Sequence, residues 1–161
     1  MISATLIKTL SYKKKGYLIT LIIASLIALD FTLPGSSLNL EINEVERSRQ
    51  QYYNAARNHH YSFIIHTDEH SFPVSSSFIE DSMVGQKIYY TVSLIFSEVN
   101  RYRMVESDSS EIYSLRWLSG LILPVLTILV MLLAFRYENR LELLSFIFQV
   151  LILTDFLFVI F

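Results

Sequence analysis

The chain has 161 residues, of which 52% are hydrophobic and 14% aromatic, more apolar than a water-soluble domain of that length hides in one core. With 13 Lys plus Arg against 15 Asp plus Glu the net charge is −2, which disfavours a globally basic surface, so no nucleic-acid partner is expected. The absence of cysteine excludes a disulfide framework, thiolate zinc sites, iron–sulfur clusters and a cysteine nucleophile, and 4 Gly with 3 Pro argue against a glycine-rich phosphate loop.

Residues 1–16 read as a cytoplasmic basic amphipathic segment. Ile2, Leu6 and Leu10 recur every four residues beside Lys8, Lys13, Lys14 and Lys15, a pattern for a short helix lying on the membrane surface. Such a segment can sense anionic lipids, but fixing topology requires the same charge and is the plainer role. Residues 17–34 form the first of three stretches close to the roughly 20 apolar residues that cross a 30 Å hydrocarbon core. The lysines before it and Pro34 with Gly35 after it give a basic start and a helix-stopping end. No A-x-A-like cleavage site follows, so a retained anchor is expected rather than a signal peptide.

Residues 35–116 alternate instead of cycling by helical turns. Leu38, Leu40 and Ile42, then Tyr61, Phe63 and Ile65, then Ile88, Tyr90, Val92 and Leu94 each mark one face of a strand. Two further strands are expected at 72–77 and 99–105, with turns at 67–69 and 84–86. The run 43–58 fits either a helix or a strand continuing into a polar loop, because Glu44 to Gln51 contains good helix formers. Five short strands that bury one face each are predicted to curl into a small antiparallel β-barrel or sandwich. The fold class is thus membrane α+β, with three transmembrane helices and one β domain between spans 1 and 2. A span, a β-rich domain opening a strand at Val84-Gly85-Gln86-Lys87-Ile88, and another span resemble, in layout over residues 17–135, small bacterial inner-membrane proteins grouped in families of unknown function. That resemblance implies a fold and no activity.

Residues 117–135 and 141–161 are the second and third spans, joined by a turn at 136–140. Lys8, Lys13, Lys14 and Lys15 before span 1, with Arg136 and Arg140 in the turn, place both flanks in the cytoplasm. Residues 35–116 and the C-terminal end are then exterior. From residue 36 to 115 there are 11 acids and 6 bases, a net of −5, and no N-x-S/T acceptor occurs. Together with the missing cysteines, this fits the periplasmic side of a bacterial inner membrane.

Polar residues inside the spans carry the remaining information. Asp30 and Asp155 are 13 and 14 residues from the span starts, about 20 and 21 Å along parallel helices, and are expected to share a level. Arg116, beside the interfacial Trp117, is the nearest cation to pair with them. A proton or ion relay, a structural pair, or snorkelling to the outer interface are the three readings, and snorkelling asks for the fewest additional groups. Gln149 is a candidate interhelical hydrogen bond. Thr20, Ala24 and Ala28 form a small-residue face, Ser119 and Gly120 a close-contact point, and Pro124 a kink near mid-depth.

Catalytic patterns are thin. His66 and His70 are four apart, but Pro73 and the alternation before them place them on a hairpin turn facing each other, with His59 and His60 as spare ligands, and solvated turn histidines are commoner than a metal site. No G-x-S-x-G holds any serine, and Glu80-Asp81 reads as a solvated loop. Tyr52-Tyr53 and Tyr89-Tyr90 supply aromatic content suited to contact with a partner. The expected role is a non-catalytic accessory or interaction subunit of a membrane assembly, without a cofactor, in contact with membrane lipids and with a protein partner or another copy of itself. A small ion-coupled transport or motor component using Asp30 and Asp155 is the alternative, and a metal-dependent exterior enzyme the third. The charge pattern predicts that a reporter fused after Ser82 reads exterior and one after Tyr137 cytoplasmic; the reverse pattern in whole cells would overturn the orientation.

Overall fold

The computed structural model describes residues 12–51, 59–79, 82–105, 107, 109–137 and 140–160. The chain divides into two compact units, a helical one (1–33 and 117–161) and a β unit (34–116).

The helical unit contains α1 (Tyr12–Thr32), α2 (Ser114–Arg136, of which 117 onward belongs here) and α3 (Glu142–Ile160), each long and apolar enough to cross a membrane. The described part of α1 already includes the five residues before the expected span. Lys13 to Lys15 are good helix formers, so the helix runs through them and the basic stretch 12–16 is its first turn and a half. The stripe at Ile2, Leu6, Lys8 and Leu10 lies outside the described residues. α1 stops at Thr32 because Leu33 precedes Pro34, and the residue before a proline is driven out of helical geometry.

A widened turn precedes Pro124 in α2. Residues Leu118–Ile122 form a π-helical turn immediately before it. Proline lacks an N–H and its ring collides with the carbonyl four residues back; widening the turn at Gly120 relieves both. Gly120 also receives Phe31 of α1: a Cβ there would lie 2.4 Å from Phe31 Cδ2. Interhelical packing therefore uses Thr20, Ala24, Ile27 and Asp30 on α1, Pro124, Thr127, Met131 and Ala134 on α2, and Ser145, Ile152 and Val159 on α3. Ala28 is half-buried, and Ile27 takes the place expected for it because a right-handed helix continues a stripe by threes and fours.

Among its described residues the β unit has six strands: β1 (Ser36–Glu41), β2 (Glu44–Gln51), β3 (His59–His66), β4 (Ser71–Val74), β5 (Lys87–Val92) and β6 (Val99–Met104). They form two three-stranded antiparallel sheets, ordered β1-β5-β6 and β2-β3-β4, which share one apolar core of Ile42, Ile65, Phe72, Val74, Met83, Ile88, Tyr90, Val92 and Tyr102. Of the expected barrel or sandwich, the closed barrel is corrected to this open pair of sheets. On one side the chain steps from sheet to sheet within two residues, Ile42 N–H bonding Gln86 O and Asn43 N–H bonding His66 O, both at 2.9 Å. On the other side, among the described residues, no ladder joins β4 to β6. The 67–70 backbone bond sets the alternation that turns the nitrogen of Pro73 away from β3 toward the open edge, where proline offers no donor. β6 instead bridges Glu111.

The stretch 44–51 is a strand, so its helix formers are overruled: an eight-residue register against β3 satisfies its backbone and lays Arg47 over the Tyr61 ring at 3.8 Å. The remainder, 52–58, lies outside the described residues. The turn before β5 is closed by Gln86 N–H to Met83 O at 3.0 Å, and Gly85 takes φ +87°, as the third residue of a type II turn requires. Gly35 permits the approach of β1 to β5, since a Cβ there would sit 2.0 Å from Val92 O, a backbone atom with little freedom to move. Gly35→Ala is therefore expected to destabilise the β unit by about 1–3 kcal/mol through forced overpacking, seen as a lowered Tm; an unchanged Tm would contradict that close approach.

Candidate functional site

The two histidines make separate contacts. The turn closes between Thr67 and His70, with Thr67 N–H bonding His70 O at 2.9 Å, so His66 faces Ser71 in register and His70 faces Thr67. The expectation that the imidazoles face each other is corrected by that one-residue difference. His66 Nδ1 is 2.7 Å from Ser71 Oγ and its Nε2 is 3.4 Å from Glu46 Oε2, while His70 Nδ1 is 3.2 Å from the Tyr90 hydroxyl. Among the described residues no three His, Asp or Glu side chains gather around a metal-sized point. The side chains of His59 and His60, together with Glu80, Asp81, Tyr52 and Tyr53, lie outside what is described.

Tyr90 is corrected from a surface aromatic to a core one. It and Tyr102 are paired neighbours on β5 and β6, both fully buried, and their rings flank Phe72 of β4 at 4.9 and 6.0 Å. Each hydroxyl crosses the core to the other sheet. Tyr90 Oη lies 3.1 Å from Thr67 Oγ1, and Tyr102 Oη accepts from the backbone N–H of Ser75 at 3.0 Å. Ser75 in turn donates from Oγ to Glu111 Oε2 at 2.6 Å. Burial raises the pKa of both tyrosines above the ordinary value of 10.0, against the lowering effect of the bonds from Thr67 and Ser75.

The outer face of the β1-β5-β6 sheet offers a different chemistry. Tyr89, Thr91, Arg101 and Arg103 line a shallow cleft of about 190 Å³. Arg103 is held over the Tyr89 ring at 4.8 Å and donates from Nη1 to Ser107 O at 3.0 Å, which fixes its guanidinium without consuming all five donors. Register aligns Asn39, Tyr89 and Arg103 in one row and Ser37, Thr91 and Arg101 in the next. The sequence pointed to the tyrosine alone; the alternation of Arg101 and Arg103 with Tyr102 was the signal for the rest of the face.

In the helical unit, Asp30 is buried to 1% exposure and Asp155 is half-buried. Lys13 meets Glu142, Tyr17 meets Ser145 and Gly16 meets Gln149, an offset of about 130 residues between α1 and α3. Carried along both helices, that register sets Asp155 opposite residues 22–27, so Asp30 lies about one to two turns further on, roughly 5–12 Å. The hydroxyls of Thr20 and Thr127 are satisfied within their helices, bonding Gly16 O at 2.9 Å and Leu123 O at 2.8 Å. Ser119 is half-buried. Arg116, in the β unit, is 7% exposed and donates from Nε to Asn100 Oδ1 at 2.9 Å.

Comparison with protein-family models, with curated proteins and with solved structures finds no match to this chain.

The buried tyrosines generate a pH prediction. A raised folded-state pKa contributes stability that is fully present below the unfolded value near 10 and is lost as pH rises through the folded values, so Tm should fall on the alkaline side of pH 10. Tyr102→Phe should cost about 1–3 kcal/mol at neutral pH by stranding the Ser75 N–H, and should flatten the alkaline loss. A neutral-pH Tm equal to that of the wild type would remove the cross-core bond from the account.

Proposed function

We propose that this chain is a three-span integral membrane protein of the bacterial inner membrane, with α1's basic start and the α2–α3 turn in the cytoplasm and the β unit in the periplasm. It acts as a non-catalytic interaction subunit whose β unit binds a partner. The observation that carries the membrane reading is the inverted composition of the helical unit. Leu18, Ile19, Ile22, Leu126, Leu129, Leu132, Phe146 and Phe158 are exposed, while Thr20, Asp30, Thr127 and Ser145 are buried. Helices surrounded by hydrocarbon turn apolar side chains outward and pack through small and polar ones; in water the same arrangement is strongly unfavourable. The six lysines and arginines of the two flanks set the orientation.

Support for a binding role comes from the Tyr89, Arg101 and Arg103 face. Arginine and tyrosine are the residue types that dominate contact energies, and here they are presented on a sheet stiffened by its own core. An acidic or carbonyl-rich partner surface suits the guanidinium donors. The alternative, ion-coupled transport, draws on one specific observation: a carboxylate buried as deeply as Asp30 among apolar helices is expensive, and such residues are commonly retained for use.

Gentle purification of the full-length protein followed by identification of stoichiometric co-migrating chains tests the main reading. Tyr89→Ala, Arg101→Ala and Arg103→Ala together should reduce partner recovery about ten-fold or more while the folded protein remains in the membrane. Partner recovery unaffected by those changes would exclude this face. Proton-dependent flux in liposomes abolished by Asp30→Asn would favour the transport reading instead.

A further inference from the structure

We propose that the cleft between the basic end of α1 and the start of α3 seats one anionic phospholipid. This rests on the membrane reading above and adds a ligand to it. The cleft, of about 330 Å³, is lined by Tyr12, Lys13, Gly16, Tyr17, Ser145 and Gln149 among others.

Three features specify the ligand. The first is charge. Lys13 pairs with Glu142 at 2.6 Å, and Lys14 and Lys15 follow directly in the sequence, so this end of α1 carries three lysines against the one carboxylate that lines the cleft. Clustered cations at the cytoplasmic boundary of membrane helices attract anionic headgroups. The second is shape. Gly16 has no side chain, and a Cβ there would already lie 3.2 Å from Gln149 Nε2. Glycine at this point therefore lets the Gln149 amide come close to the α1 backbone, beside the open volume of the cleft that a glycerol backbone and the top of an acyl chain can enter.

The third is Gln149 itself. Its amide lies seven residues into an apolar helix, about 10 Å beyond Glu142, and side chains lean toward a helix's N-terminal end, here the mouth of the cleft. Among the described residues the amide has no hydrogen-bond partner, although it is only half-buried and borders the cleft. A polar amide at that depth needs a partner that hydrocarbon cannot provide. A phospholipid places an ester carbonyl just below its phosphate, in the position where the Gln149 N–H groups can donate while the phosphate sits at the level of the lysines. The two halves of the recognition are thus separable: Gln149 and Gly16 seat the glycerol ester, and Lys14 with Lys15 select a negative headgroup.

The experiment reconstitutes the full-length protein in nanodiscs of equal phosphatidylglycerol and phosphatidylethanolamine, extracts it in mild detergent and counts retained lipids by native mass spectrometry. The wild type should retain one phosphatidylglycerol per chain, at least five-fold over phosphatidylethanolamine. Gln149→Leu, an apolar change that the helix tolerates, should lower retention at least five-fold, as should Gly16→Leu if that variant folds. Lys14→Gln with Lys15→Gln should keep a lipid but lose the preference for the anionic one. Equal retention of the two lipids by the wild type, or retention undiminished by Gln149→Leu, overturns the proposal. So do disulfide-linked dimers formed by Phe146→Cys in this otherwise cysteine-free chain, because a second copy would then cover the cleft. Failure to enter nanodiscs at all is observed before any lipid is counted, and removes the membrane reading together with the site.

Discussion

The apolar outer surface of the three helices is the constraint from which the rest follows. A helix in a medium that cannot hydrogen-bond has to satisfy its own backbone and hide its polar side chains, and several polar groups here have a local remedy of that kind. Thr20 and Thr127 return their hydroxyls to carbonyls four residues back. The backbone lost to Pro124 is absorbed by the π turn at Leu118–Ile122, placed where Gly120 leaves room for Phe31. Ser145 is within bonding distance of both Glu142 O and the Tyr17 hydroxyl, which ties α3 to α1 near their basic ends.

The β unit obeys the opposite logic. Its strands bury one face and show the other, and its two sheets remain registered to each other because Tyr90 and Tyr102 cross the core to bond the opposite sheet. This division of labour bears on the proposed binding role. With the cross-core bonds fixing the inner face, the outer face of the β1-β5-β6 sheet holds Tyr89 and Arg103 in one stacked geometry, so little side-chain entropy is left to lose when a partner binds.

Elements with a simple period were legible in the sequence. The three apolar helices and the strands at Leu38, Phe63, Ile88 and Tyr102 follow from counting residues on one face, because burial enforces periods of 3.6 and 2. β2 was ambiguous since its residues favour a helix locally, and only pairing with β3, a non-local interaction, decides otherwise. Closure was misjudged for a related reason: whether two sheet edges meet depends on the direction in which Pro73 and Ser75 point their backbones, which no periodicity encodes. For the candidate sites, residue types were readable but partners were not. Asp30 and Asp155 could be found by composition, yet their relative level depends on the register of α1 against α3, and the bond from Arg116 to Asn100 joins positions 16 apart through the fold.

The helical unit's outward face is in contact with lipid if the account is correct, and the single tryptophan allows that to be read directly. Trp117 is 46% exposed at the start of the apolar part of α2. With the full-length protein in vesicles whose acyl chains are brominated at a shallow or at a deep position, the account predicts strong quenching of Trp117 emission, greater for the shallow bromines, as expected of an interfacial tryptophan. Emission indifferent to bromination would mean that something other than lipid covers these helices, and would contradict the central claim.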